Sequence, residues 1–326
     1  MTNRSSLSTA QSAKTLAQGV AFSGLYLLRK CGSKSARNGS PFLSVELGDK
    51  TGGITTTIFS DSPVFKAFSE AEAGAVLLVD AIADFYQERF SPRITGVEPV
   101  AIAQLSQGQV DLLVESSPEE NDSMWAEFGE CIEAIGHEAL RATVRSVFDE
   151  IGETFRHSSA AVSMHHAYRG GLLEHTLHMA RAARVLLPLY PQVNPSLALA
   201  GILLHDIGKI LEYTQGMVTK VTRAGRLHGH VVLGYQFARK HGLRNKLAPH
   251  LLERLEHVIL SHQGQRDWGA AALAATPEAV FVSMVDNLDA KMGMVQRALR
   301  NAAPGDEFSE YLPGLESAVL LTKVED

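Results

Sequence analysis

The 326-residue chain carries 45% hydrophobic and 20% charged side chains, the proportions of a folded globular protein long enough for two domains and too apolar for disorder. Its net charge of −6 excludes a surface coated in positive potential, which avid nonspecific duplex binding usually needs. The longest apolar stretches, such as Leu197 to Leu204, fall far short of the roughly 20 residues that span a bilayer, and the N-terminus MTNRSSLSTAQSAK has no apolar signal region. No membrane partner and a cytoplasmic location are therefore expected. Cys31 and Cys131 lie far apart and match no ligand spacing, so both are expected to be plain thiols.

Residues 1–18 read as a tail. From Gly19 the pattern is strand-like: Ala21 to Leu28, a polar loop from Lys30 to Ser40, then Phe42 to Leu47. Asp49-Lys50-Thr51-Gly52-Gly53 predicts a hairpin turn into the β-branched, alternating strand Ile54 to Phe59. A short helix over Pro63 to Glu70 and two strands, Ala75 to Phe85 and Ser91 to Val97, follow. Five strands with a helix after the third is the order of an OB-type barrel, expected over residues 19–103.

Charge is unevenly spread. Residues 1–60 carry seven basic side chains (Arg4, Lys14, Arg29, Lys30, Lys34, Arg37, Lys50) against Glu46 and Asp49. Arg29, Lys30, Lys34 and Arg37 surround the first inter-strand loop, with Tyr26, Phe42 and Phe59 near them in sequence. OB barrels hold single strands by backbone charge and base stacking, which makes these four the candidate nucleic-acid contacts. The plainer reading is a solvated basic loop above core aromatics. Residues 111–153 run the other way, with many acids against Arg141 and Arg145 alone, so any polyanion surface is expected in the N-terminal part.

Residues 104–122 lose both periods and read as a linker. Residues 123–326 read as an all-α domain, with apolar residues at helical spacing over Met124–Ile135, His137–Phe155, Gly171–Leu187, Ser196–Leu211, Gly229–His241, Ala248–Ser261 and Pro277–Ala298. Leu312, Leu315, Val319 and Leu320 suggest a last helix docking on this subunit or on a neighbour, so a homo-oligomer is among the expected partners.

The sharpest motif is Leu197-Ala-Leu-Ala-Gly-Ile-Leu-Leu-His205-Asp206-Ile-Gly-Lys209, an almost wholly apolar helix that ends in an imidazole and a carboxylate. Such groups cost several kcal/mol to bury unless they are paired or bind a metal. Adjacent helical positions lie about 100° apart, near enough for both to reach one divalent ion, and a carboxylate has a second oxygen for another. A lone His-Asp pair is more often a cap or a hydrogen-bonded pair. His175 inside a helix, His228-Gly229-His230 at a helix start, His262 at a helix end and Asp286 inside an apolar helix change that balance. Each has a bland explanation, but one shared explanation covers all of them: a site of nitrogen and oxygen ligands without sulfur.

His175, His205-Asp206 and Asp286 together resemble the HD superfamily of metal-dependent phosphohydrolases, and His230 and His262 resemble the additional ligands of its two-metal members. The strings His165-His-Ala-Tyr-Arg-Gly-Gly-Leu-Leu-Glu-His-Thr176, Leu203-Leu-His-Asp-Ile-Gly-Lys-Ile210 and Val285-Asp-Asn-Leu-Asp-Ala-Lys-Met292, behind an OB-type domain, are similar to the YhaM-type 3′-to-5′ exoribonucleases. The resemblance implies one metal set of His175, His205 and Asp286, a second with His230 and His262, and Asp206 as the bridge. It also implies two divalent ions. The mixed donor set suits manganese, iron, nickel or zinc better than magnesium, and the resemblance favours manganese.

Lys209 lies on the helical face of His205 and Asp206, where it would meet a substrate phosphate or simply complete the helix end. Arg169 and His166, just before Gly170-Gly171, are further phosphate candidates. Asp289, one turn after Asp286, is a candidate for contact with the reacting water, or pairs with Lys291. The expectation is thus a multidomain protein, an N-terminal all-β OB-type barrel followed by an all-α HD helical bundle, acting as a metal-dependent 3′-to-5′ exoribonuclease on single-stranded RNA or short oligonucleotides. Its rivals are an HD phosphohydrolase of nucleotides or cyclic dinucleotides and a non-catalytic single-strand-binding protein.

Overall fold

The computed structural model describes residues 7–36, 39–114, 117, 119–161, 168–302 and 305–322. The chain divides into two compact units, one of residues 1–116 with 216–218, the other of residues 117–215 with 219–326.

The first unit opens with a short helix, α1 (Ala10–Lys14), capped by Thr9. The carboxylate of Asp49 organises this end of the unit. Its Oδ2 accepts the Ala10 N–H at 2.7 Å, and its Oδ1 accepts the Thr51 N–H and hydroxyl at 2.7 and 2.6 Å. One buried side chain thereby satisfies both the helix start and the predicted hairpin turn.

The strands are β1 (Ala21–Ser35), β2 (Pro41–Asp49) and β3 (Gly52–Phe59), then helix α2 (Phe65–Glu70), β4 (Val76–Ile82), a small hairpin of β5 (Phe85–Tyr86) and β6 (Arg89–Phe90), and β7 (Arg93–Val100). They form a five-stranded antiparallel sheet in the order β3-β2-β1-β4-β7. Alternation decides which side is core: Leu43, Val45 and Leu47 of β2 and Ile54 and Ile58 of β3 are buried with Tyr26 and Phe68, while Ser44, Glu46, Thr55 and Thr57 alternate with the core positions on the opposite face. The five strands form an N-terminal antiparallel sheet, and among the described residues no hydrogen-bonded ladder joins β3 to β7. A side-chain bond runs from Thr56 Oγ1 to the carbonyl of Pro92, just before β7, at 2.7 Å. A helix also forms where the sequence had lost its period: α3 (Gln107–Leu113) starts from a reciprocal capping box between Ser106 and Gln109 and buries Leu113.

The second unit is helical. It comprises α4 (Asn121–Glu133), α5 (Glu138–His157), α6 (Gly171–Leu186), α7 (Pro195–Leu204), α8 (Lys209–Glu212), α9 (Arg223–Arg244), α10 (Pro249–Ser261) and α11 (Pro277–Asn301). Trp125 and Phe128 of α4 pack their rings against Phe148 and Phe155 of α5. The apolar α7 starts at an Asn194 cap with Pro195 in its first turn and is surrounded by α4, α5, α6, α10 and α11. Its Leu197, Ala198 and Ala200 through Leu204 are buried, as an all-round apolar helix requires.

In the first unit α1 forms inside the expected tail and β1 runs on to Ser35 where a loop from Lys30 was expected; in the second unit, two elements depart from expectation. The helix predicted over Ser196–Leu211 breaks after Leu204, where bonds from Ile207 N–H to the Leu204 carbonyl and from Lys209 N–H to the Asp206 carbonyl tighten the chain to 3₁₀-type spacing. The last helix suggested around Leu312–Leu320 does not form. Pro313 and Gly314 interrupt it, and Phe308 bridges Leu320 while Leu312 bridges Ser317, as in a hairpin. No described helix is long and apolar enough to cross a membrane.

Candidate active site

Five helix ends and interiors converge in the second unit. α6 supplies His175, the turn after α7 supplies His205 and Asp206, α10 ends at His262, and α11 contributes Asp286 from its interior. His230 comes from α9, which is capped by Thr222 and kinked at Gly229, whose φ of 68° is left-handed; glycine adopts that conformation without strain. The approach of α9 depends on a second glycine. A β-carbon on Gly208 would lie 2.0 Å from the His230 carbonyl oxygen, so only a bare Cα lets the turn after Asp206 sit against His230.

The six side chains form two clusters, His175 with His205 and Asp286, and Asp206 with His230 and His262. Asp206 joins them. Its Oδ2 is 3.2 Å from His205 Nε2 and 3.7 Å from His175 Nε2, while its Oδ1 is 3.5 Å from both His230 Nε2 and His262 Nε2. Asp286 Oδ1 is 3.3 Å from His175 Nε2, and the His175 and His205 Nε2 atoms are 3.2 Å apart. His175, His205 and His262 are no more than 1% exposed and Asp206 is 2% exposed.

The outward-facing ring nitrogens show which atoms are bare. His205 Nδ1 lies 2.7 Å from the Ile202 carbonyl and His262 Nδ1 lies 2.7 Å from the Ile259 carbonyl. A carbonyl only accepts, so both Nδ1 atoms carry a proton and both rings turn Nε2 toward Asp206. His175 Nδ1 meets Asp289 Oδ2 at 2.7 Å and His230 Nδ1 meets Glu212 Oε2 at 2.7 Å. Asp206 Oδ1, buried between His230 and His262, has no hydrogen-bond partner. A buried carboxylate oxygen without a hydrogen-bond donor is costly by itself and becomes favourable around a cation. The donor set therefore fits divalent metal. Gln263 Nε2 lies 3.1 Å from both His230 Nε2 and His262 Nε2, as an amide donor does beside two acceptors.

The charges are strongly interdependent. Burial opposes charge on His175, but hydrogen bonds with Asp286 and Asp289 outweigh it and raise its pKa to about 10. Burial also opposes ionisation of Asp206, and the charges of Lys209 and His205 overcome it, holding the carboxyl well below its ordinary range. Asp286 is held at about 2 against burial, chiefly by its bond with His175.

The remaining sequence candidates are placed as follows. Lys209 is buried, with Nζ 2.6 Å from Asp206 Oδ2. Asp289 takes bonds with His175 and, at 3.3 Å, with His178 Nδ1. Arg169 has an exposed side chain, and its carbonyl accepts the Ser117 N–H. His166 lies outside the described residues, as does Arg37. In the first unit Lys30 and Lys34 are exposed, whereas the Arg29 guanidinium donates to the Asp49 carbonyl at 2.7 Å and lies over Gly48. Sequence reasoning missed Glu212, Gln263 and His178. Only His178 left a signal, its position one turn after His175 on the same helical face.

The HD domain family matches residues 172–291. A 3′-5′ exoribonuclease YhaM of Geobacillus sp. strain WCH70 is 31% identical over 301 residues, 90% of this chain and 89% of its own length. The chain belongs to the YhaM exoribonuclease family. Further YhaM relatives support this at 30% identity: that of Bacillus pumilus strain SAFR-032 over 90% of this chain and 92% of its own, and that of Listeria monocytogenes serotype 4b strain CLIP80459 over the same shares. The YhaM likeness thus spans both units, whereas the HD match covers only the helices that carry the two clusters.

Proposed function

We propose that the protein is a metal-dependent 3′-to-5′ exoribonuclease that hydrolyses single-stranded RNA or short oligonucleotides in the cytoplasm. The observation that carries the reading is the buried, unpartnered Asp206 Oδ1 facing the imidazoles of His230 and His262, beside the second cluster of His175, His205 and Asp286. In this reading Asp206 would help to hold two ions, one with His175, His205 and Asp286 and the other with His230 and His262. Four imidazole nitrogens suit manganese, iron, nickel or zinc better than magnesium, and family membership favours manganese. Bound divalent ions supply Lewis acidity that ionises water near neutral pH and draws charge from phosphoryl oxygens.

The chain's own residues do the rest. Lys209 holds the Asp206 carboxylate through one N–H, which leaves an ammonium's other donors for a phosphate oxygen. Arg169, exposed just before the start of α6, is read as holding a neighbouring phosphate. The first unit is read as an OB-type barrel, supported by its strand order, the helix after β3 and the Thr56 to Pro92 link. In register across β1, β2 and β3, Lys34 pairs with Phe42 and Phe42 with Phe59. Side chains directly opposite share a face, so an ammonium and two aromatic rings, 6.2 Å apart between centroids, form a surface suited to stacking bases and holding backbone.

The test uses purified protein stripped of metal, with manganese added back, and a 5′-labelled single-stranded RNA followed on a gel. A manganese-dependent ladder that shortens from the 3′ end and disappears in Asp206→Ala is expected. Intact RNA alongside hydrolysis of nucleotides or cyclic dinucleotides would keep the metal site and overturn the substrate; RNA bound but never cut would overturn catalysis.

A further inference from the structure

Each cluster contains one histidine held from behind by a backbone carbonyl and one held by a carboxylate. In the first, His205 is fixed by the Ile202 carbonyl and His175 by Asp289; in the second, His262 is fixed by the Ile259 carbonyl and His230 by Glu212. The two carbonyl-held rings sit at helix ends, with the acceptor three residues back in the same chain segment, so their orientation is set locally. The carboxylate-held rings depend on partners 114 and 18 residues away.

We infer that Asp289 and Glu212 are positioning residues, each acting on one metal through one histidine, on the two-metal reading above. A carboxylate behind a ligand imidazole fixes the Nδ1–H tautomer, aims Nε2 and makes it a better donor. Glu212 has a clear line to this role: it is 13% exposed, and its Oε2 bonds Nδ1 of His230, a ring 15% exposed. Asp289 is tied further outward. It also meets His178 Nδ1, His178 Nε2 meets Glu119 at 3.1 Å, and Arg181 clamps Glu119 and Glu127 together. Glu119, Glu174 and His178 have ligand atoms close enough to hold a cation, but Arg181 already supplies positive charge at Glu119 through two bonds of 2.8 Å. That cluster is thus the buttress of Asp289 rather than a third metal site, and it makes the first metal's histidine the more firmly held of the two.

Manganese titrated into metal-free protein, followed by calorimetry and by metal content after dialysis, tests the assignment without relying on catalysis. Wild type taking up no manganese would sink the two-metal reading itself. With wild type binding two equivalents, Asp289→Ala is expected to weaken one binding phase by about tenfold to a hundredfold and Glu212→Ala the other. The amide variants Asp289→Asn and Glu212→Gln keep a carbonyl acceptor and are expected to recover part of each loss, with thermal melts confirming that all four fold. Unchanged affinity in the alanine variants, both acting on the same phase, or losses that the amide variants do not recover would overturn the inference.

Discussion

Lys209 Nζ and Asp206 Oδ2 are 2.6 Å apart in a pocket where neither side chain is more than 7% exposed. The pair is the innermost charge compensation of the site, and the shared turn between α7 and α8 is built around it. Replacing Lys209 with methionine keeps the stem and removes the charge, leaving Asp206 with less compensation. Loss of one partner of a buried pair costs about 3–5 kcal/mol; Lys209→Met is expected at the lower end, since His205 remains nearby. Urea unfolding of metal-free wild type and variant measures it, and a difference below about 1 kcal/mol would show that the ammonium does not compensate Asp206.

Gly208→Ala tests the approach of α9. Its β-carbon would meet the His230 carbonyl oxygen and the Gly234 nitrogen, both backbone atoms that no rotamer change can move. Overpacking typically costs about 1–3 kcal/mol, and a backbone clash belongs at the top of that range. The variant should melt earlier and lose manganese affinity together, since moving α9 moves His230. Wild-type melting would disprove the close approach.

The Arg181 clamp predicts a pH dependence. Chiefly through its hydrogen bond with Arg181, Glu119 has its pKa lowered from an ordinary 4.5 to about 2. A depressed carboxylate pKa contributes stability above the unfolded value and loses it as pH falls through the folded one. Arg181→Met should therefore be less stable than wild type at pH 7, by no more than about 1 kcal/mol for a partly exposed cluster. The gap should close as pH drops from about 4.5 toward 2. Denaturant midpoints at several pH values decide it, and a gap constant down to pH 3 would assign the effect to packing.

Phe59 is 56% exposed, so truncating it leaves the core intact. Stacking of one base on an aromatic ring contributes about 1–3 kcal/mol; Phe59→Ala should raise KM for long single-stranded RNA roughly tenfold while leaving kcat and thermal stability near wild type. Unchanged KM would remove this face from the RNA path.

Much of the architecture is legible from local pattern. Alternating β-branched residues in Ile54–Phe59 and the Asp49–Gly53 turn specify a hairpin through neighbours in the chain, and the uninterrupted apolar run of Leu197–Leu204 marks a fully buried element, with its Leu and Ala content favouring helix. The same run exposes His205 and Asp206 as chemically anomalous, because polar groups at the end of such a helix need partners. Local pattern was silent where ladders close or turns tighten. Whether β3 meets β7 depends on sheet curvature, and the helix break after Leu204 contains no proline to announce it.

From the sequence alone come the residue types of the centre, their carriage on separate helices, and a hydrolytic chemistry that needs nitrogen and oxygen donors. Only the tertiary structure decided which oxygen of Asp206 faces which imidazoles, that Lys209 turns to Asp206, and that Glu212 and Asp289 stand behind His230 and His175. Those are contacts between side chains on different segments, and a carboxylate's partner across such a gap is set by how helices pack, which no local period encodes.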